Sequence, residues 1–214
     1  MSQIAKALQV TKAGAIALEV ATGELCALDS VAGDGDHGFA MGTAAKAIRH
    51  RLAHDPPSDV PGLLDLLAEQ FGAVGGSMGA LLSVAFSALE ERAAADGGGA
   101  LTGQAVADCL AAVLEALTEF GGAKPGDKTI VDAVAGAHAA AAAAATRGAD
   151  AAQTLSAAAA GANAGAESTA GMVARIGRAS RLGERSRGSV DAGARSCALV
   201  LTAVADAYIS GDDA

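Results

Sequence analysis

Apolar residues in this chain recur at spacings of three and four. Leu63, Leu66, Leu67 and Phe71 form one such stripe, and Leu110, Val113, Leu114 and Leu117 form another. This is the period of one buried helical face. Alanine dominates and β-branched runs are scarce, so helix is favoured nearly throughout. Glycine, proline and capping residues then divide the chain into eight predicted helices. The first covers 3–21 and stops at Gly23, and the second covers 37–53 and ends before Asp55-Pro56-Pro57. A third covers 60–73, up to Gly75-Gly76, and a fourth covers 77–95, up to Gly97-Gly98-Gly99. Thr102 is the expected N-cap of a fifth, 103–120, closed by Gly121-Gly122. Asp127 is read as the cap of a sixth to residue 147, Asp150 of a seventh to residue 176, and Asp191 of an eighth over 192–210. The expectation is an all-α chain with a single domain over 1–214. The alanine run 139–145 reads as small side chains for close helix packing.

Between the first two helices lies Asp29-Ser-Val-Ala-Gly-Asp34-Gly-Asp36-His37-Gly38, with three carboxylates and three glycines in ten residues. Short acidic side chains on a backbone that glycine lets fold tightly suit a hard divalent cation. An EF-hand is excluded by register. Counted from Asp34, position five is Gly38, position six is Phe39 and position twelve is Ala45, so the bidentate glutamate is missing. Three carboxylates with few other protein ligands suit Mg²⁺, which takes its remaining oxygens from water and phosphate. The competing reading is a glycine-rich turn whose aspartates cap the next helix.

A formal charge of −9 argues against general nucleic-acid or anionic-membrane binding. Cys26, Cys109 and Cys197 are far apart and lack metal-ligand spacing, so they read as reduced thiols of a cytoplasmic protein. The first twelve residues lack the apolar core of a signal peptide, and the uncharged stretches 133–146 and 151–166 are too short to span a bilayer.

Against that acidic background, residues 175–188 hold five of the fifteen basic residues: Arg175, Arg178, Arg181, Arg185 and Arg187. Guanidinium forks match phosphate oxygens, so this stretch is either an anion site or a solvated basic loop. Gly75-Gly76-Ser77-Met78-Gly79 opens a helix, where free N–H groups favour anions, although simple helix punctuation reads the same way. The segment Gly121-Gly122-Ala-Lys124-Pro-Gly126-Asp127-Lys128-Thr129 is not a P-loop, because Asp127 separates Gly126 from Lys128 and no strand precedes it. His37, beside the acidic cluster, either contacts a ligand or donates to a carboxylate. His50, His54 and His138 read as surface or core residues.

Several of these segments occur together in one order: Leu28-Asp29…Gly33-Asp34-Gly-Asp36-His37-Gly38, Gly75-Gly76-Ser77, Lys124-Pro-Gly-Asp-Lys-Thr129, Glu167-Ser-Thr169, Gly177-Arg-Ala-Ser180 and Leu182-Gly-Glu-Arg-Ser186. In that order they resemble the nucleotide-binding (L) subunit of dihydroxyacetone kinases over nearly the whole chain. The resemblance implies a closed up-and-down barrel of eight helices with ATP or ADP and two Mg²⁺ ions at one end. It implies that Asp29, Asp34 and Asp36 hold the metal and act in catalysis. His37, the loop Gly76-Ser77-Met78, Gly121, Arg178 and the turn from Asp191 to Gly193 would line the nucleotide. Arg187 falls outside this set and reads as ordinary surface. The implied activity is phosphoryl transfer to dihydroxyacetone or another short ketose held covalently on a histidine of a separate K subunit.

Two positions depart from the family pattern. Ala40 stands where asparagine is frequent, and Ser77-Met78-Gly-Ala80 replaces the usual Ala-Ser-Gly-Pro. Two alternatives stay open: a phosphotransferase-system form whose bound ADP is rephosphorylated by a phosphohistidine carrier protein, and a non-catalytic nucleotide-binding regulator. The resemblance also leaves a homodimer open.

Overall fold

Side-chain caps set most helix starts. The computed structural model describes residues 1–95 and 99–211, and nine α-helices form among them. These are α1 (Gln3–Val20), α2 (Thr22–Ala32), α3 (His37–His54), α4 (Val60–Gly72), α5 (Gly76–Ala95), α6 (Gly103–Gly121), α7 (Ile130–Thr146), α8 (Ala151–Ser168) and α9 (Ala192–Ser210). Asp59, Thr102, Asp150 and Asp191 each accept a first-turn backbone N–H at the start of α4, α6, α8 and α9. Such a cap contributes about 1 kcal/mol. No strand forms among the described residues.

Eight of the helices make the ring. In the order α1, α3, α4, α5, α6, α7, α8, α9, each packs on the next, and α9 returns against α1. Consecutive neighbours joined by short connections form an up-and-down bundle, here closed on itself as the sequence resemblance implies. α2 is additional, packed on α3 and α9. Leu18, Leu25, Met41, Ile48, Leu63 and Phe71 fill one side of the core. The α7–α8–α9 side is built largely from alanine, with Ala133, Ala137, Ala158, Ala162, Ala194 and Ala198 fully buried. The helices enclose an apolar cavity of about 350 Å³ whose walls include Leu18, Phe71, Phe86, Leu117 and Val200. By length and apolarity alone α9 could cross a membrane, a candidate that the reading of uncharged stretches passed over; here it packs between α1 and α8.

Three expected boundaries move. Gly23 does not begin a loop, because the fully buried Leu25 draws residues 22–32 into α2, so Asp29 stands on a helix. Asp127 does not cap the helix after Gly122. Lys128 takes a left-handed φ of 62°, and helix α7 starts only after Thr129, whose hydroxyl and Asp132 form a reciprocal capping box. The helix capped by Asp150 ends at Ser168 rather than near 176, where the buried Thr169 enters a 3₁₀ turn, Thr169–Gly171. The expected stop at Gly97-Gly98 lies outside the described residues.

Helices α7 and α8 approach until backbone meets backbone. A Cβ on Gly161 would stand 2.3 Å from the Gly136 carbonyl oxygen, and one on Gly136 equally close to the Gly161 oxygen. Backbone cannot yield as a flexible side chain can, so Gly161→Ala is expected to lower the free energy of unfolding by about 1–3 kcal/mol. Gly23→Ala is the opposite case. Gly23 lies within α2 with nothing in 4 Å of its added Cβ, and alanine there should stabilise by about 0.5–1 kcal/mol. Denaturant melts of both variants check this, and shifts of the same sign would remove close helix approach as the explanation.

Candidate functional site

Alternation around the ring brings the N-termini of α3, α5, α7 and α9 to one end. The contacts there are direct. An added Cβ at Gly193, in the first turn of α9, would meet Met78 Cε of α5 at 2.8 Å and Ile130 Cβ of α7 at 3.6 Å. His37, the first residue of α3, places Nε2 3.2 Å from Ser196 Oγ of α9. First-turn N–H groups of these helices therefore open on one region, where they favour an anion.

The acidic motif lies at this end. Asp29 occupies the last turn of α2, and its carboxylate accepts the His37 backbone N–H at 3.3 Å. Gly33 is required here, since a Cβ would come 2.2 Å from Asp29 Oδ1. Asp34 and Asp36 are exposed, and one carboxylate oxygen from each of the three aspartates lies within 4.8 Å of the others. Asp36 holds the N-cap position of α3, yet its side chain makes no capping hydrogen bond. Three carboxylates this close repel one another, so the donor set fits a hard cation of Mg²⁺ type.

A positive group already faces them. Arg178 opens the 3₁₀ segment Arg178–Ser186, and its Nη1 bonds to Asp34 Oδ2 while Nη2 lies 3.9 Å from Asp36 Oδ1. Of the five arginines in that stretch, Arg178 is the one paired with the acidic cluster among the described residues. Arg187 is exposed, as the sequence suggests, and it bonds to the Gly171 carbonyl and pairs with Glu184 at 3.2 Å. Its guanidinium ties the two turns of this loop together.

The remaining residues implied by the resemblance gather around the same end. Gly75 and Gly76 have φ of 78° and 69°, which glycine adopts without strain, and they turn the chain into α5. Ser77 is exposed beside them, whereas the Met78 side chain runs inward to Gly193 and the core. Gly121 ends α6 against Leu81 of α5, where a Cβ would stand 2.8 Å from Leu81 Cδ2. Asp191 caps α9 through Ala194 N–H at 2.8 Å. Burial pushes its pKa up to about 6, against the opposing pull of that hydrogen bond and of Lys128. Burial lowers the pKa of His37, with Asp29 and the Ala192 carbonyl working the other way.

Sequence reading gave no individual role to Ser196, Lys128, Thr169 or Ser186. Ser196 is a buried hydroxyl inside an apolar helix that donates to the Gly193 carbonyl and meets His37. Thr169 and Ser186 are wholly buried loop residues. Thr169 Oγ1 accepts the Asp191 N–H, and Ser186 Oγ accepts the Ala174 N–H. The available signal was a polar residue at a position where helical period or a short motif demands burial.

Comparison with known proteins bears on this geometry. A family model described as the DAK2 domain matches residues 31–206. The L-erythrulose kinase of Pectobacterium atrosepticum is 37% identical over 120 residues, which is 52% of this chain and 19% of that protein. The L-erythrulose 1-kinase of Mycolicibacterium smegmatis is 40% identical over 113 residues, 51% of this chain and 19% of that one. The crystal structure of the dihydroxyacetone kinase from C. freundii in complex with AMP-PNP and Mg²⁺ matches with a TM-score of 0.72 at 28% identity, covering 93% of this chain and 33% of that one. The chain thus spans about a fifth of the curated relatives and about a third of the solved one.

The Arg178 guanidinium stands where a cation would neutralise Asp34 and Asp36, so the two compete. Arg178→Ala should bind Mn²⁺ alone, without nucleotide, about threefold more tightly, a modest gain because the ion pair is exposed. Electron paramagnetic resonance titration of free Mn²⁺ measures it, and weaker metal binding by the variant would mean that Arg178 supports the cluster instead of competing for it.

Proposed function

The chain belongs to the DAK2 domain family, and on that basis we propose that it is the nucleotide-binding half of a short-ketose kinase. The observation that carries this reading is the convergence of Asp29, Asp34 and Asp36, faced by Arg178, beside four helix N-termini. Phosphoryl transfer needs little covalent chemistry from protein; it needs positioning and neutralised charge. Asp29, Asp34 and Asp36 would hold two Mg²⁺ ions. Bound Mg²⁺ would supply charge neutralisation along the phosphates of ATP or ADP. The N–H groups of Gly76 and Ser77 and the α9 turn through Gly193 would receive phosphate oxygens, with His37 and Gly121 lining the same end. Arg178 would turn from the carboxylates to the phosphates when nucleotide enters, its fork suited to paired oxygens.

The acceptor would be a three- or four-carbon ketose, in keeping with the kinases named above. A separate ketose-binding K subunit would present its hydroxyl to the nucleotide. Family membership and the AMP-PNP and Mg²⁺ complex of the C. freundii kinase support the nucleotide and the metal.

Calorimetry with Mg²⁺–ADP tests the binding. The parent chain should bind, and Asp34→Asn should weaken affinity at least tenfold, about 1.4 kcal/mol. No binding by the parent would end the nucleotide reading, and equal binding by Asp34→Asn would end the metal assignment. Partner dependence is a separate expectation. With ATP, Mg²⁺ and dihydroxyacetone the chain alone should form no ketose phosphate, and a cognate K subunit should restore turnover. Turnover by the purified chain alone would overturn the half-enzyme reading.

A further inference from the structure

Arg178 can serve either charge partner only if the loop that carries it returns to one place. That loop leaves α8 at Thr169 and rejoins the barrel at Asp191, the cap of α9. Both of its ends meet one buried side chain. Lys128 is 3% exposed, and its Nζ donates to the Thr169 carbonyl at 2.6 Å and to the Ser189 carbonyl. It is the one non-glycine residue with a left-handed φ among the described residues, a conformation that persists only where the surroundings enforce it.

Other bonds converge on the same point. The Asp191 N–H donates to Thr169 Oγ1 at 2.9 Å, joining the two ends directly. The Arg175 N–H donates to the Asp127 carbonyl, and the Gly188 N–H to the Ala170 carbonyl. Asp132, through Gly126 and Thr129 N–H groups, holds the turn that aims Lys128 inward. Asp132 and Asp191 both act electrostatically on the ammonium. Without that ammonium, the Thr169 and Ser189 carbonyls would lose the donor they share.

We infer that Lys128 is a positioning residue for the nucleotide site, pinning both ends of the 169–191 loop so that Arg178 reaches the acidic cluster and Asp191 presents the α9 N-terminus. Its ammonium, already bonded to two carbonyls, does not touch the ligand. This rests on the nucleotide reading above, but the pin itself is a property of the loop.

Lys128→Met tests it, because methionine keeps the unbranched stem, suffers the same left-handed backbone and lacks only the charge and donors. Hydrogen exchange should show amides of 172–190 exchanging at least tenfold faster, with those of α4 and α6 unchanged. Affinity for Mg²⁺–ADP should fall about tenfold, whereas Arg178→Ala added to Lys128→Met should cost less than a further twofold. That non-additivity separates positioning from general destabilisation, whose effect would multiply with the loss of Arg178. Unchanged exchange over 172–190, or independent multiplication of the two losses, would overturn the inference. If Lys128→Met fails to fold, Lys128→Gln carries the same comparison, since its uncharged amide on a shorter stem keeps a polar group in the site while losing the ammonium's bonds to both carbonyls. Failure of the parent chain to bind Mg²⁺–ADP would sink the function reading, while the exchange measurement would still decide whether Lys128 pins the loop.

Discussion

Antiparallel alternation in a closed ring of eight helices is the constraint on which the rest depends. Because neighbours alternate, four helices must begin at the same end, and here these are α3, α5, α7 and α9. Each start leaves backbone N–H groups without intrahelical partners. Some are met by caps, as at Asp191 and Thr129, while the glycine-initiated start of α5 leaves its own exposed. The same alternation brings the C-termini of α1, α4, α6 and α8 to that end, so an anion site there rests on individual first-turn N–H groups and not on a net helix dipole. Asp29, Asp34 and Asp36 stand close enough there to repel one another, and the Arg178 guanidinium offsets two of them.

Two kinds of charge control divide the work there. Asp34 and Asp36 are exposed and meet an exposed guanidinium, so their pairing is weak and exchangeable. Lys128 is buried and Asp191 partly so, their ordinary pKa values are pushed toward the neutral forms, and their partners are fixed backbone groups. Breaking a buried arrangement of this kind leaves an uncompensated charge and costs far more than losing a surface pair. The exchangeable pairs therefore lie at the rim, and the fixed ones lie in the framework beneath.

Eight ring helices were legible in the sequence because apolar period, caps and glycine stops agreed at nearly every boundary. α2 was not, because Gly23 reads as a stop and only the burial of Leu25 overrides it. Asp127 looked like a cap from its position alone. Its carboxylate instead accepts the Lys124 N–H, and the true cap, Thr129, lies past a residue whose left-handed backbone no local pattern announces. That Asp29, Asp34 and Asp36 come together was legible, because the glycines between them let ten residues fold tightly. The roles of Lys128, Thr169 and Ser186 were not, since their partners lie 12 to 61 residues away and mostly on backbone.

One departure from the family pattern, at Ser77-Met78, takes on a physical sense in this frame. Met78 stands where a small hydroxyl residue is usual, and its thioether runs to Gly193, where any Cβ would collide with it. A flexible, unbranched side chain can fill that irregular gap between α5 and α9. The hydroxyl has moved to Ser77, which is exposed at the mouth of the site. Gly193 and Met78 therefore pack as neighbours across the α5–α9 seam, and a Cβ at 193 would first displace the flexible end of the Met78 side chain. The close approach of the α5 and α9 starts thus rests on a residue without a Cβ at 193 and an adaptable one at 78.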